Sequence, residues 1–135
     1  MEEFLEHQEF SYKWDKDTGA LSYWYTLPAF IKHPETGEDL WFNQPTVHHC
    51  TYYTESPMYR GVHMAEDKYP THTTYGDGSA IEPETLQHIR ATSWQCAVGF
   101  QWKTGDLLFL DNLRIQHGKL SFTSTRKILA YLTKD

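Results

Sequence analysis

The chain has 135 residues, of which 39% are apolar and 16% aromatic, and its formal net charge is −6. This length corresponds to one ordinary domain, which we take to span residues 1–135. An acidic chain lacks the basic patch through which proteins bind nucleic acids or anionic membranes, so we expect neither as a partner. The aromatic share favours a mainly β fold with one or two helices.

Three features predict a cytoplasmic protein. The N-terminal stretch MEEFLEHQEF is acidic and contains no apolar run, so it does not resemble a signal peptide. The longest apolar run, Leu107–Leu110, is too short to cross a bilayer. Cys50 and Cys96 stand far apart and form no paired motif, which is typical of a reducing compartment.

The first forty residues predict a short helix followed by extended segments. Residues 1–14 suggest an amphipathic helix that leads into a strand at 10–14. The turn sequence DKDTG precedes a second strand at 20–27, so the two strands are expected to form a hairpin. A further turn is predicted at 33–39, between two short apolar segments.

The remainder of the chain predicts a loop, a helix and several strands. Residues 43–77 show little periodicity, and we expect a long irregular loop with at most one short helix, a candidate lid over a substrate. Pro83 suits a first helical position, and apolar residues then recur at helical spacing, which predicts a helix at 83–95. Four extended segments are predicted after it: residues 97–102, 107–110, 113–117 and 126–133.

His117 and Arg126 are the candidate functional pair. On an extended segment His117 shares the inward, apolar face of Leu113 and Ile115, and Arg126 shares a face with Ala130. A guanidinium on an apolar face is costly unless an anion meets it, and arginine holds a carboxylate through two parallel hydrogen bonds. The pair suggests a metal site with a carboxylate cosubstrate. Spacing alone leaves open a core histidine and a solvated arginine.

A second group of candidate metal ligands lies in the predicted loop. It comprises His48, His49, Cys50, His63 and His72. They could form a zinc site, but their spacings match no common zinc pattern, and the loop is rich in tyrosine and threonine. We therefore favour the interpretation of these histidines as solvated side chains and keep a zinc site as the alternative.

Three sequence blocks resemble one enzyme family, in collinear order. They are HPETGEDLWFNQ at 33–44, YGDGSAIEPETLQHI at 75–89, and GDLLFLDNLRIQHG at 105–118, the last followed by Arg126 within TRKILAYL. The similarity covers nearly the whole chain from about residue 11 onward. The blocks resemble the taurine dioxygenase / clavaminate synthase-like family of Fe(II)- and 2-oxoglutarate-dependent oxygenases.

The resemblance implies a fold, a reaction and a set of residue roles. The fold is a double-stranded β-helix, a jelly-roll or cupin-like barrel. Iron is held by two histidines and one carboxylate, which leaves positions for 2-oxoglutarate and O₂. His117 corresponds to the distal iron ligand, Arg126 to the anchor of the 2-oxoglutarate carboxylate, and Ala130 lines the side of the small-molecule substrate. The implied reaction hydroxylates a C–H bond and releases succinate and CO₂. Asp111-Asn112 corresponds to a structural turn.

The chain departs from the family pattern at the other two ligands. In the family they form a His-x-Asp or His-x-Glu pair on an early strand, whereas His7 and Glu9 have that spacing in an acidic, helical setting. We therefore interpret the chain as the C-terminal portion of a family domain and an incomplete barrel. Unpaired strand edges then predict self-association. The alternative is a non-catalytic remnant that serves as a binding or interaction module.

Overall fold

A computed structural model describes residues 1–123, 125 and 127–133. Its helices and strands all lie before residue 96. In chain order they are α1 (Glu2–His7), β1 (Ser11–Trp14), β2 (Leu21–Trp24), β3 (Phe30–Lys32), β4 (Asp39–Trp41), α2 (Pro45–His48), α3 (Thr51–Thr54), the 3₁₀ turns Pro57–Tyr59 and Glu66–Lys68, and α4 (Pro83–Gln95).

The predicted N-terminal hairpin is confirmed. β1 and β2 pair antiparallel, with Trp14 opposite Leu21 at the turn end. The side chain of Asp15 accepts hydrogen bonds from two turn amides, and Gly19 has a φ of 68°, a conformation that favours glycine. α1 lies against this hairpin, where the Trp14 indole donates to Glu2 over 2.7 Å.

A second hairpin, β3–β4, surrounds the predicted turn at 33–39. Its strands pair antiparallel with Phe30 opposite Trp41, and these rings meet edge to face at a centroid distance of 5.4 Å. Lys32 and Asp39 close the pair at the turn end with a 2.7 Å contact. Gly37 in the turn has a φ of 70°. This hairpin carries the candidate site described below.

The prediction of an irregular loop over residues 43–77 is wrong in part, because four short helical turns occupy it. Prolines begin two of them, since a first helical position needs no amide donor: Pro45 starts α2 and Pro57 starts a 3₁₀ turn. Tyr53, Tyr59 and Tyr69 pack together, with ring centroids 5.2 to 6.0 Å apart. Helices this short leave no measurable periodicity in a sequence.

The helix predicted at 83–95 is confirmed as α4, which begins at Pro83 and ends at Gln95. Its buried face centres on Leu86 and packs near α2. Buried apolar side chains are otherwise few among the described residues: Leu5, Cys50, Tyr69 and Ile81. None of the helices in the described part of the chain is long and apolar enough to cross a membrane.

The strands predicted after α4 are wrong for the described residues. Between residue 97 and residue 133, no described residue belongs to a strand, and the apolar side chains there are exposed, for example Phe109 at 84% and Tyr131 at 90%. A strand requires a partner edge for its backbone hydrogen bonds, and these segments meet none among the residues that the structure describes. The described residues therefore form two two-stranded sheets with a few helices and no closed barrel.

Candidate functional site

The structure joins two of the sequence blocks singled out above. The turn after β3 and the turn at Asp111 lie against each other although they are 78 residues apart, because His33 Nε2 lies 3.2 Å from Asp111 Oδ2. His33 is only 7% exposed. The contact anchors the otherwise irregular C-terminal segment to the β3–β4 hairpin.

Hydrogen bonds define the tautomer of His33. Its Nδ1 accepts from the amides of Glu35 and Thr36, at 3.3 and 3.2 Å, so that nitrogen carries no hydrogen. Nε2 therefore carries the hydrogen and donates a hydrogen bond to Asp111. His33-Pro34-Glu35 also has the His-x-Glu spacing of an iron-ligand pair, but both ring nitrogens of His33 are already engaged. This histidine is structural.

Arg114 extends the same network. Its guanidinium donates to Glu38 and, over 3.0 Å, to the hydroxyl of Thr36, and its Nε lies 3.4 Å from Asp111. The hydrogen bond from Thr36, followed by that from Arg114, holds the pKa of Glu38 below its usual value. Desolvation raises the pKa of Asp111, but hydrogen bonds from the Leu113 amide and His33 outweigh it and lower that pKa.

A third contact between the C-terminal segment and the hairpin lies next to His117 in the sequence. The side chain of Gln116 donates to the carbonyl of Asn43 over 2.8 Å, and Asn43 in turn donates to the carbonyl of Pro28. Asp111 thus contacts the hairpin just after β3, Arg114 contacts its turn, and Gln116 contacts the backbone just after β4. The expectation that Asp111-Asn112 forms a structural turn is confirmed, since the Asp111 carboxylate accepts from the backbone two residues on.

Those predicted site residues that the structure describes are not gathered into one cluster. His117 and Ala130 are exposed, and Arg126 lies outside the described residues. His7 is the last residue of α1, and Glu9 follows it with a φ of 57°; both are exposed. Among residues 1–123, 125 and 127–133, none of these belongs to a group of three metal-ligating side chains. The described residues alone therefore do not fit an iron site.

The loop histidines behave differently from one another. His48 and His63 are exposed, as expected. The interpretation of His49 as a solvated side chain is wrong, because this residue is only 5% exposed. His72 is half-buried, and the ligand atoms of His49, Cys50 and His72 lie within 4.8 Å of one another. Sequence spacing could not single out these three among the five candidate ligands, since the packing of the tyrosine-rich loop brings His72 to the other two.

The hydrogen-bond network around His33 predicts that the thermal stability of the chain depends on pH. A carboxyl group whose pKa is lower in the folded than in the unfolded protein stabilises the fold above its unfolded pKa. That stability is lost as the pH falls through the folded pKa. For Asp111 and Glu38, with ordinary values of 3.8 and 4.5, we expect the Tm to hold above these values and to fall below them. Circular dichroism melts at a series of pH values measure this.

Two variants control the pH experiment. Asp111→Asn keeps the shape of the side chain and removes its titration, so its Tm should fall less steeply with acid than that of the unmodified protein. Asp17→Asn changes an exposed turn aspartate and should leave the profile unaltered. Parallel profiles for Asp111→Asn and the unmodified protein would contradict the stabilising role of Asp111.

Comparison with known proteins identifies the family. Residues 4–132 match the family described as taurine catabolism dioxygenase TauD, TfdA family. The chain is 34% identical over 102 residues to the dapdiamide synthesis protein DdaC of Enterobacter agglomerans, a match that covers 74% of the chain and 31% of DdaC. It is 29% identical over 125 residues to the clavaminate synthase-like protein At3g21360 of Arabidopsis thaliana, covering 90% of the chain and 34% of that protein. No solved structure matches.

The chain therefore belongs to the TauD/TfdA family, a family of non-haem iron and 2-oxoglutarate oxygenases. This confirms the resemblance on which the three sequence blocks were interpreted. The chain spans about a third of the length of the curated relatives that it matches. The His33 and Asp111 turns, joined in the structure, both lie within the matched residues.

Proposed function

We propose that this chain carries part of the active site of an Fe(II)- and 2-oxoglutarate-dependent dioxygenase. The enzyme would hydroxylate a C–H bond of a small organic substrate and release succinate and CO₂. The observation that carries the proposal is the family match over residues 4–132. The network around Asp111 supports it, because contacts through Gln116 hold the chain next to the candidate ligand His117.

The proposed roles follow the family motif. His117 is the distal iron ligand, Arg126 binds the remote carboxylate of 2-oxoglutarate, and Ala130 faces the substrate. We propose that a His-x-Asp or His-x-Glu strand outside these 135 residues supplies the other two ligands, rather than His7 and Glu9. The end of a helix does not present two alternate side chains to one face as a strand does. Residues 1–135 would then be the C-terminal portion of one jelly-roll domain.

A non-catalytic remnant is the second candidate. It is favoured by the exposure of His117 and by the absence, among the described residues, of a metal-ligating group around it. In this case the chain would act as an interaction module through the exposed apolar segment at 97–133. The two candidates differ in one measurable respect, which is turnover once a proximal ligand pair is supplied.

The test compares two proteins. One is the chain of 135 residues, and the other, called the extended protein below, is the same chain joined to the part of DdaC that lies outside its matching region. With Fe(II), O₂ and 2-oxoglutarate, we expect succinate from the extended protein and none from the shorter chain, because a single imidazole does not hold Fe(II) tightly. Succinate is measured by chromatography.

Variants of the extended protein separate the roles of its histidines. His117→Ala should abolish both iron retention and succinate formation, whereas His88→Ala, at an exposed position on α4, should leave both unchanged. His7→Ala should also leave iron retention unchanged. Succinate release by the 135-residue chain would contradict the need for a second half. An extended protein that binds iron without turnover would favour the remnant.

A further inference from the structure

The strongest unassigned feature of the molecule is the group formed by His49, Cys50 and His72. One ligand atom from each lies within 4.8 Å of the others. His49 and Cys50 are 5% and 3% exposed, so the group lies in the interior and not on a charged surface. It is separate from the residues of the proposed oxygenase site, and the inference below does not rest on that function.

His72 carries a buried nitrogen that lacks a partner. Its Nδ1 is shielded from solvent and has no hydrogen bond among the described residues. A polar atom in this state is costly unless an ion, a water molecule or a protein group meets it. Its other nitrogen, Nε2, lies 3.7 Å from the carboxylate of Glu66. Histidines that bind metals commonly direct their second nitrogen at such a carboxylate.

The other two members are restrained by neighbouring elements. The Thr51 amide donates to Nδ1 of His49 over 3.2 Å, and Arg90 of α4 donates to the Thr51 hydroxyl. The sulfur of Cys50 lies 3.7 Å from the same nitrogen of His49. The rings of His49 and His72 are 4.8 Å apart between centroids. The junction of α2 and α3 therefore holds these side chains in place, and zinc bound at Nδ1 of His49 replaces the hydrogen bond from the Thr51 amide.

We propose that His49, Cys50 and His72 bind a zinc ion, which ties the α2–α3 junction to the segment after the second 3₁₀ turn. Two imidazole nitrogens and one thiolate are a donor set that Zn²⁺ favours, with water in the fourth position. A tetrahedral zinc site has donor atoms about 3.5 Å apart, so the group must contract by about 1 Å. Rotation of His72, whose Nδ1 makes no hydrogen bond, supplies that movement.

Zinc binding exchanges a proton for the metal at Cys50. The Zn–S bond forms as the thiol proton leaves to solvent. The thiolate and Glu66 then offset the charge of the cation.

The test uses the 135-residue chain, purified with a chelator and then dialysed against zinc. We expect one zinc per chain and a rise in Tm, because an ion that binds only the folded state stabilises it. Cobalt substituted for zinc should give the thiolate charge-transfer absorption of a tetrahedral site. Zinc should also protect Cys50 from alkylation while the exposed Cys96 stays reactive. The alkylation measurement requires no substituted protein.

Variants assign the ligands. Cys50→Ser and His72→Gln should weaken zinc binding by more than the roughly 10- to 100-fold that loss of an outer-shell partner causes. Cys96→Ser and His63→Gln, at exposed positions, should bind zinc normally. Circular dichroism of the metal-free variants verifies that they fold. Equal alkylation of Cys50 with and without zinc, or retention of well under one zinc per chain, would overturn the proposal.

Discussion

Replacing Arg126 with alanine should weaken the binding of 2-oxoglutarate to the extended protein by at least about 30-fold, because truncating one partner of a buried, hydrogen-bonded charge pair costs roughly 2–5 kcal/mol. Arg126 lies outside the described residues, so this expectation rests on the family motif and on the position of Arg126 four residues before Ala130. Calorimetric titration with 2-oxoglutarate under nitrogen measures the affinity directly and requires no turnover.

Two neighbouring variants sharpen this experiment. Lys127→Ala removes an adjacent positive charge that the family motif does not assign to 2-oxoglutarate and should leave the affinity unchanged. Arg126→Lys keeps the charge but loses the planar fork that holds a carboxylate with two parallel hydrogen bonds, so it should recover only part of the affinity. If Lys127→Ala proves the more damaging variant, the assigned register of the last segment is wrong.

The parts of the fold that the sequence predicts correctly depend on local interactions. α4 is an example, since Pro83 is preorganised for the first turn and Leu86 belongs to an apolar face of helical period. The β1–β2 hairpin is another, because Asp15 and Gly19 form the turn without help from distant residues. Each signal lies within a few residues of the structure that it specifies.

The parts that were predicted wrongly depend on distant partners. The apolar segments around Phe109 and Leu129 indicate strands only where another strand accepts their hydrogen bonds, and the described residues offer none. The proposed zinc group also depends on residues that are far apart in the sequence, because the packing of the intervening tyrosines brings His72 to Cys50. Neither outcome can be derived from periodicity or from spacing between ligands.

The link between His33 and Asp111 lies between these two cases. The family resemblance identified both turns as motifs, and a turn sequence predicts local hydrogen bonds at each. It does not predict that the two turns bind each other, 78 residues apart. The contact explains why the segment before His117 has a defined position although it forms no strand. Strands that complete a barrel would then meet a segment whose position against the β3–β4 hairpin is already fixed.

The 135-residue chain alone should self-associate, and the extended protein should be monomeric. The segment at 97–133 exposes large apolar side chains, including Phe109 at 84% and Tyr131 at 90%, and each two-stranded sheet has unpaired edges. Surfaces of this kind promote association through strand edges and apolar contact. Sedimentation velocity over a range of protein concentrations measures the oligomeric state. Added salt should increase association, since it screens the repulsion between chains of net charge −6.

Charge substitutions locate the associating surface. Phe109→Lys combined with Tyr131→Lys should reduce association of the 135-residue chain, because each replaces exposed apolar area with a hydrated cation. Met58→Lys is the matched control, at an equally exposed position outside the 97–133 segment, and should leave association unchanged. A chain that stays monomeric at every concentration would contradict the interpretation of this segment as one face of an incomplete barrel. If Met58→Lys alone suppresses association, the contact surface lies in the loop at 43–77 instead.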